Sequence, residues 1–176
     1  MLCVAASSAC AASSSKPAGA VTSSATLSSV RDRFTDEQGE RGSFERWRGS
    51  TVVVATIYTS CTRICPLTVE QMRKVDAAYR RAGKRAEFVL VTLDPDSDTP
   101  ERLRDFKSTR ALPAEWHLLR GSERATRDVT DLLGVHTIDM GSHVVHNATI
   151  AVFDPRGALV RAFDDLDFDP SAAVVP

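Results

Sequence analysis

Long apolar runs, charge of one sign and cysteines are all scarce in this sequence, and each shortage removes a class of function. Its longest apolar-rich stretch, Thr51 to Tyr58, falls far short of the roughly 20 residues that span a bilayer. That stretch reads as a buried strand. Lys and Arg number 22 against 23 Asp and Glu, with a formal net charge of -1 and a pI near 6.4. No long-range field exists to draw in nucleic acid or an anionic membrane surface, so neither is expected as a partner, and membrane contact is expected only through an N-terminal anchor. Four cysteines are too few for a disulfide scaffold. Cys3 and Cys10 lie in the first ten residues, Cys61 and Cys65 far downstream. No internal repeat is present.

A hydrophobic content of 43% with 26% charged residues suits one ordinary globular domain. Residues 1–29 are dominated by Ala, Ser and Thr, with Lys16 the one charged residue. Such a composition builds no packed core. The expected division is therefore a disordered segment over 1–29 and a domain over 30–176. Leu2 to Ala6 reads as the end of an export signal's apolar region and Ser7-Ser8-Ala9 as its cleavage residues, although no basic stretch precedes them. Cys10, after small residues, is a candidate lipid acceptor, with Ser7 standing where such sites usually carry Leu.

Phe34 and Phe44 flank a polar stretch suited to a hairpin or tight loop. The β-branched run Thr51 to Tyr58 is the first core strand. From Leu67 to Gly83 apolar residues recur at helical spacing, with Pro66 expected at the first helical position. A strand over Ala86 to Leu93 follows, then a helix capped by Thr99 with Pro100 as its first residue, running to about Thr109. A short strand near Trp116 to Leu119, a helix from Glu123 to Leu133 stopped by Gly134, and a hairpin of Ala148 to Phe153 with Ala158 to Phe163 complete the order. Alternating strands and helices imply an α/β fold, a central sheet with helices on both faces.

Cys61 and Cys65 leave the end of a core strand and enter a helix, where open α/β sheets usually bind ligands. The helix dipole favours thiolate, lowering a cysteine pKa from about 8.5, and Arg63 adds to the effect. Both sulfurs are expected to be nucleophilic and metal-competent. Thiolates select Cu(I), Zn(II) or iron-sulfur iron, and an imidazole as third ligand suits copper or zinc. Structural zinc normally takes four protein ligands, so a three-coordinate soft ion matches better.

Tyr58-Thr59-Ser60-Cys61-Thr62-Arg63-Ile64-Cys65-Pro66 resembles the C-x-x-x-C-P motif of the Sco/SenC proteins. Two further blocks agree, Thr92 to Glu101 and His146 ahead of Asp154-Pro155-Arg156-Gly157. The resemblance implies a thioredoxin-like fold with a central mixed sheet and an N-terminal hairpin extension. It implies Cu(I) or Cu(II) held by Cys61, Cys65 and His146, and a copper chaperone for a cuproprotein, above all the CuA site of cytochrome c oxidase subunit II. It also implies a site outside the cytoplasm, in the periplasm or on the outer face of the inner membrane with a lipid or membrane anchor. In that family the two cysteines also exchange thiols and disulfides, with a thiol-disulfide reductant as a second partner. Val145 stands where family members carry an acidic residue. The last residues, Asp169 to Pro176, lack the amphipathic helix expected to cover one sheet face.

A rival reading makes Cys61 and Cys65 the redox pair of a thiol-disulfide oxidoreductase. A weaker one takes Thr62 to Cys65 as a peroxiredoxin-like T-x-x-C with Cys65 peroxidatic and Tyr58 in place of that family's proline. His143 is a substitute for His146. Asp94 and Asp98 fit loop and capping roles more readily than orientation of a copper ligand. His117 and His136 read as structural, and Glu70 with Lys74 as a solvated helix face.

Overall fold

Strands and helices alternate along the chain as the apolar periodicity implies. The computed structural model describes residues 26–139 and 144–176, without the side chains of 137–139 and 144–146. Cys3, Cys10 and the export segment, like His143, lie outside the described residues. The elements are β1 (Phe34–Asp36), β2 (Arg41–Gly42), β3 (Val52–Ile57), α1 (Ile64–Arg81), β4 (Glu87–Thr92), α2 (Pro100–Thr109), β5 (His117–Arg120), α3 (Glu123–Leu133), β6 (Thr137–Asp139), β7 (Val144–His146), β8 (Ile150–Phe153) and β9 (Leu159–Phe163).

Seven strands form one sheet in the order β2-β1-β5-β4-β3-β8-β9. The pairs β3 with β4 and β4 with β5 are parallel; β1, β8 and β9 pair antiparallel with their neighbours. The sheet is therefore mixed, with the β1–β2 hairpin appended at the β5 edge. Because side chains alternate across a strand, Val53, Ala55 and Ile57 face α1 and α2, while Val52 and Val54 face α3 and the N-terminal residues Leu27, Phe34 and Trp47. Every residue of β3 is buried. Each of its valines contributes about 1.5–3 kcal/mol on that account, which is why a continuous β-branched run occupies the centre.

Helix caps fix the boundaries. Thr99 Oγ1 accepts the Arg102 N–H (3.4 Å) ahead of Pro100, and Ser122 Oγ accepts the Ala125 N–H (3.1 Å) ahead of α3. Gly134, at φ 65°, ends α3 in the left-handed conformation that glycine adopts without steric cost.

Four expectations need correction. Helix α1 begins at Ile64, so Cys65 and Pro66 both lie inside its first turn; Pro66 is tolerated there because the N–H it lacks is unpaired in any first turn. Strand β8 starts at Ile150 instead of Ala148. The separate β6–β7 hairpin was not foreseen. Finally, one sheet face is covered without a long helix. Phe168 stacks on Phe163 with centroids 3.8 Å apart, and Ala173 and Val175 are buried beside a short 3-10 turn, Pro170–Ala173. The Tyr79 hydroxyl donates to the Ala173 carbonyl (2.8 Å), Gln71 to that of Phe168 (2.9 Å) and Lys84 to that of Val175 (2.7 Å). These bonds strap the tail onto α1 and the turn that follows it.

A buried ion pair joins the hairpin to the body of the sheet. Glu37 takes the Lys107 ammonium on one oxygen (2.5 Å) and the Leu118 N–H on the other (3.0 Å), while Lys107 also donates to the carbonyls of Ala114 and Trp116. Removing one partner of such a pair strands the other charge in the interior. Lys107→Met should lower unfolding free energy in urea by about 3 kcal/mol, and Glu37→Gln added to it should recover part of the loss. A single-mutant change under about 0.5 kcal/mol would show that the pair is dispensable.

Candidate metal centre

The site begins where β3 runs out. The Leu93 N–H donates to the Ile57 carbonyl (2.8 Å), keeping β3 and the β4 exit together, and the Cys61 N–H donates back to the Tyr58 carbonyl (3.1 Å), closing a turn. Between them Thr59 is tied to Asp98, whose carboxylate accepts the Thr59 N–H (3.0 Å), the Thr59 hydroxyl and the Thr92 hydroxyl. Asp98 is 1% exposed. It reaches from the far loop to fix the backbone two residues before Cys61. Asp94 has the capping role: its side chain accepts the Ser97 N–H (3.2 Å) and its carbonyl the Asp98 N–H (2.9 Å).

Cys61 and Cys65 are free thiols, both buried. Arg63 stands at the N-cap of α1 with no side-chain cap bond. Cys61 supplies the missing acceptor, its Sγ receiving the Cys65 N–H at 3.3 Å. This is the task a serine or aspartate oxygen performs at other helix starts, here carried out by a sulfur that the chemistry also needs.

The expectation that both sulfurs are nucleophilic divides. Burial pushes the Cys61 thiol up, but hydrogen bonds from the Cys65 thiol, the backbone N–H groups of Cys65 and Arg63 and the Tyr58 hydroxyl outweigh it, and the net shift is downward. For Cys65 burial dominates, joined by its hydrogen bond to Cys61, and its thiol is held well above the usual range. Burial and the Cys61 hydrogen bond likewise push the Tyr58 hydroxyl up to about 12, so it stays a donor toward the sulfur. Of the two, Cys61 is therefore the sulfur that gives up its proton more readily and Cys65 the one that keeps it. A peroxidatic role at Cys65 fits poorly with such a thiol.

Two soft donors side by side fit a soft cation. Among the described residues no group of three His, Cys, Asp or Glu side chains gathers around a common point. The third ligand expected from sequence, His146, closes β7, its backbone opposite Thr137. It therefore lies at the end of a hairpin of its own, four residues before β8, instead of at the mouth of that strand. Asn147 anchors this hairpin, accepting the His136 N–H (2.7 Å) and donating to the Gly134 carbonyl (3.2 Å) and Thr149 Oγ1 (3.2 Å). Asn147, Thr59 and Tyr58 position the segments around the sulfurs and His146; in the sequence Tyr58 and Thr59 stood only as members of the motif around Cys61, and for Asn147 the available signal was one polar amide set between His146 and an apolar strand. His117 packs on Trp47 with ring centroids 5.0 Å apart, and burial with Arg46 beside it holds its pKa below the usual imidazole value. His136 enters these contacts through its backbone. Neither histidine contributes a side chain to the sulfur site.

Residues 24–175 match the family described as SCO1/SenC. The chain belongs to the SCO1/SenC family. A SCO2-like protein of Rickettsia typhi is 24% identical over 135 residues, covering 73% of this chain and 66% of the relative, so the chain spans just under two thirds of that relative's length. Among solved structures, Arabidopsis thaliana ScoI with copper bound superposes with a TM-score of 0.70 at 17% identity, covering 81% of this chain and 90% of the other. BsSco, the subject of a disulfide-switch study and a member of the Sco family of cytochrome c oxidase assembly proteins, gives a TM-score of 0.65 at 21% identity, covering 74% of this chain and 79% of the other. At these identities the two structures establish the thioredoxin-like fold of the Sco proteins for this chain. No helix among the described residues is long and apolar enough to cross a membrane.

The sulfur asymmetry is directly measurable. Because the Cys61 pKa is lowered and that of Cys65 raised, iodoacetamide should modify Cys61 first, with its half-maximal rate at a lower pH than that of Cys65. Cys65 should react only after denaturation. Equal labelling of the two by peptide mass spectrometry would contradict the difference in environment.

Proposed function

We propose that this SCO1/SenC chain is a copper chaperone that holds Cu(I) or Cu(II) through Cys61, Cys65 and His146 and hands it to a cuproprotein. The acceptor that the family implies is the CuA site of cytochrome c oxidase subunit II. The observation that carries the reading is the sulfur pair itself: two free thiols at the start of one helix, with the Cys61 sulfur accepting the backbone N–H of Cys65 at 3.3 Å where the N-cap residue Arg63 provides no side-chain acceptor. Soft thiolates at that position suit a monovalent soft ion, and an imidazole suits the oxidised form. Copper bound to Arabidopsis ScoI, on the same fold, supports it.

Metal uptake uses the groups already present. Cys61 offers a thiolate, and Cys65 becomes a ligand when copper displaces its proton, so binding releases a proton and strengthens as pH rises. Val145, beside His146, places no carboxylate in sequence next to the imidazole. Work outside the cytoplasm, through a lipid or membrane anchor, completes the proposal; it draws on the Ala/Ser-rich N-terminus, and cell fractionation of the tagged full-length protein tests it.

The second reading, thiol-disulfide exchange, is favoured by the same asymmetry. Thiolate Cys61 attacks a partner disulfide and releases one partner thiol; Cys65 then gives up its proton, attacks the mixed disulfide at the Cys61 sulfur and frees the second. The chain ends oxidised and the partner reduced by two electrons. Metal loading and reductase assays on one preparation separate the readings.

Anaerobic titration of the reduced domain should give one Cu(I) per chain with submicromolar or tighter affinity. Cys61→Ser or Cys65→Ser should abolish it, and full retention in the double serine variant would end the chaperone reading. His146→Ala should weaken Cu(I) modestly, since both thiolates stay, and change the Cu(II) absorption and EPR spectra strongly. His143→Ala should do neither; the opposite pattern would transfer the third ligand to His143.

A further inference from the structure

Leu67, two residues after Cys65, is 59% exposed, the one large hydrophobic side chain left in solvent among the described residues. It lines a groove of about 590 Å³ whose apolar wall continues through Ile64, Ala148 and Leu166. The rim is acidic, with Glu70, Asp164, Asp165 and Asp167 set against a single lining cation, Lys74. None of the four carboxylates forms an ion pair among the described residues. The groove also joins the two segments that carry the site. Ile64 and Leu67 belong to the helical turn of Cys65, and Asn147 and Ala148 directly follow His146.

Most exposed leucines need no explanation. This one is distinguished by a concave apolar surface built on the helical turn that carries Cys65 and by a predominantly acidic rim whose carboxylates form no ion pair among the described residues. Carboxylates on a rim steer and select an oppositely charged partner, raising the association rate and rejecting like charge. A second copy of this chain is disfavoured as occupant, because an isologous contact would bring acidic rim against acidic rim. A basic polypeptide segment with an apolar side chain satisfies both features.

We propose that this groove docks a lysine- or arginine-flanked apolar segment of the protein that exchanges metal or thiols with Cys61. An apolar side chain lies along Leu67 and Ile64 while its basic neighbours meet Asp164, Asp165 and Asp167. The role of the occupant rests on the function proposed above; the groove and its chemistry do not.

The test uses defined peptides and the full chain. Three acetylated nonapeptides, alternating Lys with Leu, Glu with Leu and Lys with Ser, are titrated into ¹⁵N-labelled protein at low and moderate salt. The Lys/Leu peptide should shift the amides of Ile64, Leu67, Asn147 and residues 164–167 saturably, bind at least about tenfold tighter than the other two, and weaken with salt. Leu67→Ser, and separately Asp164→Asn with Asp165→Asn and Asp167→Asn, should each weaken it about tenfold while Cu(I) affinity stays unchanged. Equal binding of the three peptides, shifts centred elsewhere, or variants that bind like the parent would overturn the proposal. Peptide docking retained in a chain that fails to bind copper would fall on the chaperone reading and leave the groove supported.

Discussion

Thr59 follows β3 and Thr92 closes β4, and both donate hydrogen bonds to the buried carboxylate of Asp98. A carboxyl group taken out of water is costly unless its oxygens are satisfied, and three donors satisfy this one. The bonds oblige the cysteine loop, the loop after β4 and the start of α2 to move as a unit. Thr99, adjacent to Asp98, caps α2, so the same short segment sets the loop and the helix that packs beneath it. With Thr59 held, the turn from Tyr58 to Cys61 has little freedom. The Cys61 sulfur is delivered to the first turn of α1, where an unpaired N–H awaits it.

That placement makes two chemically identical residues different. Cys61 accepts hydrogen bonds at the mouth of the helix, and Cys65, one turn on, lies within the core beneath it. A helix N-terminus acting alone would favour both thiolates; burial overrides it at Cys65, because desolvation penalises the charged form more than a partial dipole repays. On the proposed function, soft-metal binding would use both sulfurs once a cation replaced the Cys65 proton, whereas thiol exchange would use them in sequence. One geometry therefore serves either chemistry, and the choice between them lies in what reaches Cys61.

Much of this architecture was legible in the residues. Thr99-Pro100 and Gly134 marked helix ends that the structure reproduces, because caps and left-handed glycines act locally. The β-branched run before Cys61 announced a strand buried on both faces. The β6–β7 hairpin was missed since each of its strands has three residues, too few for a period of two to register. Tail packing escaped for a related reason: Phe168, Ala173 and Val175 follow no helical spacing, and their contacts with Tyr79, Gln71 and Lys84 connect residues more than ninety positions apart. The unequal cysteines were beyond the sequence as well, because spacing shows proximity to a helix start but gives no measure of depth.

Depth has a consequence for transfer. Cys61 is 3% exposed and Cys65 is fully buried, so an ion held between them, as proposed above, would have little contact with water. Loss of a soft ion to solvent would expose it to hydration that suits it far less than sulfur does. Exchange is favoured only if an incoming donor approaches before an outgoing sulfur departs, which demands that another surface lie against the rim of the loop. Thr62 and Arg63, both exposed, and Leu67 one turn further along α1 form that rim. On the proposed function the fold would separate retention from release: Asp98 and the core hold the sulfurs in place, while the exposed residues Thr62, Arg63 and Leu67 would be left to an approaching protein.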